Sequence, residues 1–114
     1  MAAIKSKDTQ PELIVRRRLH AAGFRYRLHR KDLPGRPDIV LPKHHLAIFV
    51  HGCFWHKHNC RYFQWPRTRE AFWREKILAN VERDLRDHRE LRALGWRVVV
   101  IWECRVNSNW LSRL

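Results

Sequence analysis

The chain has 114 residues, 45% of them hydrophobic, and carries 24 Lys and Arg against 11 Asp and Glu, which gives a net charge of +13. This composition excludes a disordered chain, and no apolar run reaches the roughly 20 residues of a membrane span. The basic residues are dispersed rather than set on one amphipathic face, so a polyanionic partner such as nucleic acid is favoured over an acidic membrane surface.

The first predicted element is a helix with clear boundary signals. Thr9 and Glu12 form a T-x-x-E capping box, Pro11 lies in the first turn and Gly23 supplies the stop. The predicted inward face carries Leu13, Ile14, Leu19 and Ala22, and the predicted outward face carries Arg16, Arg17 and Arg18.

Three strands, a long helix and a fourth strand are predicted next. FRYRLHR alternates apolar and basic residues, and the apolar runs DIVL and HLAIFV are separated by a tight turn at Pro42, Lys43 and His44. A long loop follows, then a helix capped by Thr68 and ending at Gly95, the buried strand WRVVVIWE, and a tail, CRVNSNWLSRL, that begins another helix. This order predicts one α/β domain over residues 1–114, with a central mixed sheet flanked by helices.

The cysteines and a histidine-rich loop predict a metal site. Cys53, His58 and Cys60 lie within eight residues, and Cys104 follows the last strand. The amino terminus shows no signal-peptide pattern, so we expect the reducing cytoplasm, where clustered Cys and His indicate metal binding or catalysis rather than disulfides. Three thiolates and one imidazole fill a tetrahedral site, which favours structural zinc over buried free cysteines. The residues alone do not decide which of the loop's three histidines is the ligand.

A candidate catalytic centre begins at Asp38, which follows the turn PGRP at the start of a predicted strand. The next strand ends at His51, so Asp38 and the region His51–His56 are expected on neighbouring strands. A carboxylate binds Mg²⁺ and a neutral histidine takes a proton from water, which together suit metal-assisted phosphodiester hydrolysis. Asp38 as a turn acceptor is the alternative. For Glu12, local evidence favours the capping box or a surface partnership with Arg16.

Three aromatic residues, Phe54, Trp55 and Trp73, are candidate DNA contacts. Burial in the core is the alternative for each of them. Two bulky aromatics inside a polar, metal-bound loop are badly placed for a core, however, and such side chains wedge between stacked bases in proteins that distort duplexes.

The chain resembles the very-short-patch-repair endonucleases, which nick DNA beside a T:G mismatch. The matching stretches are LPGRPDIV, IFVHGCFWHKHNC, FWREKILANVERD and LGWRVVVIWEC, which occur in order and, with Glu12 upstream, cover nearly the whole chain. The resemblance implies a restriction-endonuclease-like α/β core that acts as a monomer on double-stranded DNA containing a T:G mismatch. It also implies a bacterial, cytoplasmic location at the nucleoid, and it leaves protein partners from the repair pathway open.

The resemblance also implies roles for individual residues. Asp38 and the backbone carbonyl of Val50 correspond to the Mg²⁺ ligands. His56 corresponds to the general base, His51 to an accessory catalytic histidine and Glu12 to an acid near the catalytic centre. The residues that correspond to the structural zinc ligands are Cys53, His58, Cys60 and Cys104. The aromatics that correspond to those inserted into the duplex beside the mismatch are Phe54, Trp55 and Trp73.

The chain departs from the family pattern in three ways. Val50 stands where threonine occurs in family members, which keeps the backbone carbonyl but removes a hydroxyl. The second carboxylate and the lysine of the broader nuclease motif are absent from IFVHGC. The first matched helix also lies close to the start of the sequence, so the amino-terminal extension that helps family members grip DNA is expected either to be missing or to have been trimmed.

Overall fold

The computed structural model describes residues 9–53, 60 and 64–114. The helices and strands in these residues are α1 (Gln10–Ala21), β1 (Arg27–Leu28), β2 (Ile39–Leu41), β3 (Leu46–His51), α2 (Glu70–Ala93) and β4 (Arg97–Trp102). Among the described residues, no helix has the length and apolar character needed to cross a membrane.

The four strands form one mixed sheet in the order β1-β2-β3-β4. β2 pairs antiparallel with both β1 and β3, whereas β3 and β4 run parallel. A parallel pair needs a crossover connection, and α2 lies in that connection. The expected α/β fold, a central mixed sheet with helices on its faces, is confirmed.

The two faces of the sheet bury separate groups of apolar side chains. The α1 face buries Val15, Leu19, Ile39, Leu41, Leu46, Ile48, Ile101, Val106 and Trp110. The α2 face buries Leu33, Val40, Ala47, Phe49 and Leu91. Nearly every residue of β2 and β3 is buried because helices cover both faces, which explains why these strands read as continuous apolar runs rather than alternating ones.

The limits of α1 agree with its predicted punctuation. The side chain of Thr9 accepts a hydrogen bond from the Glu12 N–H at 3.4 Å, and Gly23 follows the helix at a φ of 87°. The predicted faces were partly wrong, because Ala22 is exposed. Arg18 is half-buried and donates to the backbone carbonyl of Val106 at 2.8 Å, which ties α1 to the carboxyl-terminal segment.

Three predicted elements differ from the observed ones. The strand predicted in FRYRLHR is ordered as β1 for two residues only, since His29 adopts a left-handed backbone with φ 52°. Thr68 does not cap α2. Arg69 occupies that position without a side-chain cap. The tail forms short 3₁₀ turns at Glu103–Arg105 and Trp110–Arg113 instead of a helix, because the polar run NSN between them favours local turns.

The turn that leads into Asp38 depends on close packing at Gly35. A Cβ added there would lie 2.9 Å from the Asp87 Cβ and 3.2 Å from the Phe49 Cε1, whereas a Cβ added at Gly23 would meet nothing within 4 Å. Both glycines have positive φ, at 75° and 87°. A comparison of alanine substitutions at Gly35 and Gly23 therefore separates the steric cost of an added Cβ from the cost of the left-handed backbone.

We expect Gly35→Ala to lower the free energy of unfolding by about 1–3 kcal/mol more than Gly23→Ala, because overpacking adds to the shared cost of a left-handed alanine. Urea unfolding of both variants measures the difference. Equal losses would show that the close approach of Gly35 to α2 contributes nothing to stability.

Candidate functional site

Asp38 lies directly before β2, beside the carboxyl end of the antiparallel β3. Its Oδ2 accepts a hydrogen bond from the Val50 backbone N–H at 2.8 Å. Its backbone carbonyl accepts a second hydrogen bond from the N–H of His29 at 3.1 Å. Both the carboxylate and the main chain of Asp38 are thus held at the junction of β1, β2 and β3.

The backbone carbonyl of Val50 faces the same side as the Asp38 carboxylate. In a strand, the N–H and C=O of one residue point to the same neighbour, and successive residues alternate between neighbours. The carbonyl of His45 accepts from the Arg97 N–H at the start of β4, so residues 46, 48 and 50 direct their backbone groups to β2. Carboxylate and carbonyl oxygens are the ligands of hard divalent cations, and these two fit such an ion.

The side chain of His51 points to the α2 face of the sheet, opposite to the core between the sheet and α1. It is 5% exposed, and its ring stacks on the ring of His88 from α2, with 5.8 Å between centroids and 15° between planes. The rings of Phe49 and Trp102 contact it edge-on at 5.6 and 5.3 Å. This packing holds the imidazole of His51 in one orientation at the end of β3.

Glu12 is 2% exposed on α1. Its Oε2 forms an ion pair with Arg16, one helical turn further on, and lies 3.1 Å from the Nε2 of His29. The predicted partnership with Arg16 is confirmed, but the pair is largely buried rather than on the surface. A buried carboxylate needs such a partner, since an uncompensated charge is costly away from water.

The register of β3 and β4 brings the cysteines together. His51 lies opposite Trp102 in the parallel pair, so Cys53 and Cys104 follow the two strands at the same level. Cys60 joins them, and the three Sγ atoms lie within 4.8 Å of one another. Metal–thiolate bonds of about 2.3 Å place tetrahedral sulfur atoms about 3.8 Å apart, so this cluster has the size and chemistry to hold a metal ion.

Burial, with the neighbouring thiols, raises the pKa of Cys53 to about 12. At neutral pH, its thiolate therefore forms only when a cation stabilises it. Because each thiol gives up a proton on metal binding, metal affinity falls as pH falls. The Cys53 N–H also donates to Glu103 Oε1 at 3.0 Å, which fastens Cys53 to the residue that follows β4.

The start of α2 combines aromatic rings with cations. Trp73 packs edge-on against Phe72 at 5.2 Å, the guanidinium of Arg69 lies 4.2 Å from the Phe72 ring centroid, and that of Arg74 lies 4.4 Å from the centroid of Trp65. Aromatic faces and basic groups are the two components that bind bases and phosphates. The predicted site residues that lie outside the described part of the chain are Phe54, Trp55, His56 and His58.

Two histidines beside the predicted residues were not singled out from the sequence. His88 carried a usable signal, since it shares a helical face with Ile77 and Leu91, both buried. His29 carried none, because the alternation of FRYRLHR places its side chain on the same face as Arg27. The left-handed backbone at His29 breaks that alternation and brings the ring to Glu12.

Comparison with known proteins gives consistent similarities. A family model described as DNA mismatch endonuclease Vsr matches residues 1–62. The chain is 49% identical over 109 residues to the DNA mismatch endonuclease Vsr of Escherichia coli, which covers 96% of this chain and 70% of that protein.

Two similar proteins carry the name of nicking enzymes. The Xanthomonas oryzae type II nicking enzyme V.XorIIP is 54% identical over 108 residues, covering 95% of this chain and 79% of the relative. The Neisseria meningitidis type II nicking enzyme V.NmeAIP is 44% identical over 113 residues, covering 99% and 81%.

Proposed function

The chain belongs to the Vsr family of DNA mismatch endonucleases, whose core is restriction-endonuclease-like, and it is therefore a nuclease; we propose that it is a Mg²⁺-dependent enzyme that nicks one DNA strand at a T:G mismatch. Such mismatches arise by deamination of 5-methylcytosine. The basic charge, the clustered cysteines and the aromatic residues would also suit a non-enzymatic, zinc-stabilised DNA-binding module, but this second interpretation has no support because the family consists of endonucleases. A cytoplasmic location at the nucleoid, a monomeric state and repair-protein partners stay predictions.

One observation supports the reaction most directly. The Asp38 carboxylate is fixed by the Val50 N–H at 2.8 Å, and the carbonyl of Val50 faces the same side. The replacement of threonine by valine leaves this backbone geometry intact, because neither the N–H nor the C=O depends on the side chain. Asp38 and Val50 can thus hold Mg²⁺ together with phosphate oxygens of the DNA.

The other residues divide the remaining chemistry. Asp38 and the Val50 carbonyl would hold the Mg²⁺, which would supply Lewis-acid polarisation of the scissile phosphate and charge stabilisation for the leaving oxygen. His56 takes the proton of the water that attacks phosphorus. Two further residues act as accessory groups that orient charge near the phosphate. These are His51, which is held by its ring contacts on the α2 face, and Glu12, which is held by Arg16.

Zinc is the metal we propose for the thiol cluster. Cys53, Cys60 and Cys104 supply three sulfur ligands within 4.8 Å of one another, and His58 supplies the fourth ligand. Four protein ligands leave no position for substrate, so the zinc is structural. It ties the loop after β3 to the end of β4.

Mismatch specificity follows from the cost of opening the base stack. We expect three aromatic side chains to insert beside the mismatched pair, namely Phe54, Trp55 and Trp73. A T:G pair stacks and pairs less well than a matched one, so wedging aromatics beside it costs less than at a matched site. The basic and aromatic start of α2, with Arg69 and Arg74 beside Phe72 and Trp65, supports DNA contact at this end of the molecule.

A second candidate function is nicking at a particular sequence without a mismatch. The names of the Xanthomonas and Neisseria relatives, type II nicking enzymes, favour it. The active centre would be the same in both cases, and only the requirement for the T:G pair would differ. Matched duplexes therefore distinguish the two candidates.

We expect the protein to nick a duplex with one T:G pair in the presence of Mg²⁺ and to leave the same duplex with T:A intact. Single-turnover gel assays with and without Mg²⁺ measure the rates on both duplexes. Equal nicking of the two would favour the second candidate. Absence of nicking from every mismatched and matched duplex would contradict both.

Asp38→Asn should abolish this activity without unfolding the protein, because it removes the ligand charge but keeps an oxygen for the Val50 N–H. Asp32→Asn is the matched control, since that carboxylate is 63% exposed and pairs only with Arg30 among the contacts described for it. Wild-type turnover by Asp38→Asn would remove Asp38 from the catalytic centre.

We expect Cys104→Ser to lose zinc and to melt at a lower temperature, because one ligand of four is gone and a structural zinc contributes folding free energy. Elemental analysis of purified protein and thermal unfolding measure the two effects. Chelation of zinc from the wild-type protein should lower its melting temperature by a similar amount. Full zinc occupancy in Cys104→Ser would exclude Cys104 as a ligand.

A further inference from the structure

We infer that His29 is a positioning residue that links Glu12 on α1 to Asp38 before β2 and so helps to fix the carboxylate proposed to bind the metal. The inference rests on the proposed function, since it assigns the Asp38 carboxylate to the metal. His29 contacts Glu12 through its ring and Asp38 through its main chain, so one residue joins helix α1 to the start of β2.

The ring of His29 meets the buried pair of Glu12 and Arg16 at a single nitrogen. Its Nε2 lies 3.1 Å from Glu12 Oε2 and 3.0 Å from an Arg16 guanidinium nitrogen. With a proton, Nε2 donates to Glu12. Without one, it accepts from Arg16. In either tautomer the ring has a partner in the pair, so the imidazole stays attached to α1.

The main chain of His29 holds the other acid. Its N–H donates to the Asp38 carbonyl at 3.1 Å, one step beyond the β1–β2 pairing of Leu28 with Ile39. The φ of 52° lies in the left-handed region, which costs a non-glycine residue energy and persists only where surrounding contacts hold it. This backbone lets His29 continue the pairing with β2 while its ring turns to α1.

The consequence concerns the metal-binding carboxylate. Asp38 is anchored at its side chain by the Val50 N–H and at its main chain by His29. Loss of the ring would remove the side-chain contact between His29 and α1 and loosen the second of these anchors. Groups that orient metal ligands in this way change metal affinity or activity by about 10–100-fold when removed.

His29→Gly is the decisive variant, because glycine keeps the left-handed backbone and the N–H but lacks the ring. His45→Gly is its matched control. His45 also has a left-handed backbone, with φ 51°, and also donates its N–H to a carbonyl, that of Pro42. Its ring stacks on Trp96 instead, with 4.5 Å between centroids. His29→Gln restores an amide donor and acceptor at similar reach.

The readouts are the Mn²⁺ dissociation constant, measured by electron paramagnetic resonance with a non-hydrolysable T:G duplex, and the Mg²⁺ dependence of nicking. We expect His29→Gly to raise the Mn²⁺ dissociation constant at least about tenfold. We expect His29→Gln to recover part of the loss and His45→Gly to match the wild type. Thermal unfolding of each variant identifies any general loss of stability.

Wild-type Mn²⁺ affinity in a folded His29→Gly protein would overturn the inference, as would an equal loss in His45→Gly. If His29→Gly fails to fold, His29→Asn decides instead, because asparagine tolerates the left-handed backbone but is too short to replace the ring at Glu12. Wild-type Mn²⁺ affinity in His29→Asn would overturn the inference. A wild-type protein that binds Mn²⁺ but nicks no duplex would refute the proposed function while the binding comparison still decides the role of His29. Absence of Mn²⁺ binding to the wild type would overturn both.

Discussion

The hydrogen bond from the Val50 N–H to Asp38 Oδ2 is the contact on which the site depends. It places a carboxylate at the junction of two antiparallel strands, and it does so through the backbone, so the strand pairing itself sets the position. The tight turn between β2 and β3 fixes that pairing, with Ile39 opposite Ile48. A shift of one residue would turn every side chain of β2 to the opposite face and separate Asp38 from Val50.

The end of β3 and the two residues that follow it contribute to three separate parts of the proposed site. The Val50 backbone faces β2 and Asp38. The His51 side chain packs against the rings of Phe49, His88 and Trp102, and the Cys53 thiol lies beside the thiols of Cys60 and Cys104. Alternation along β3 directs Val50 and His51 differently, and Cys53 lies two residues beyond the strand, so these residues reach separate places without competing for space. The parallel β4 supports this end of the sheet, because it brings Cys104 level with Cys53.

Much of this arrangement could be predicted from the sequence, and the exceptions have physical causes. The capping box, the β2–β3 turn and the buried strands carry strong local signals, and the cysteine spacing indicated a metal cluster. The attachment of Glu12 to His29 could not be predicted, because a left-handed residue breaks the alternation on which strand patterns depend. The helix predicted for the tail was wrong although the sequence held a contrary signal, since the polar run NSN favours local turns there, and the bond from Arg18 to the Val106 carbonyl adds a tertiary contact that no local pattern predicts.

In the proposed mechanism, Asp38 and the Val50 carbonyl form a single cation site. Anomalous X-ray scattering from crystals soaked in Mn²⁺, a spectroscopically visible substitute for Mg²⁺, tests it most directly. We expect a manganese peak about 2.1 Å from both an Asp38 carboxylate oxygen and the Val50 carbonyl oxygen. A manganese ion bound by other residues, with both of these oxygens uncoordinated, would contradict it.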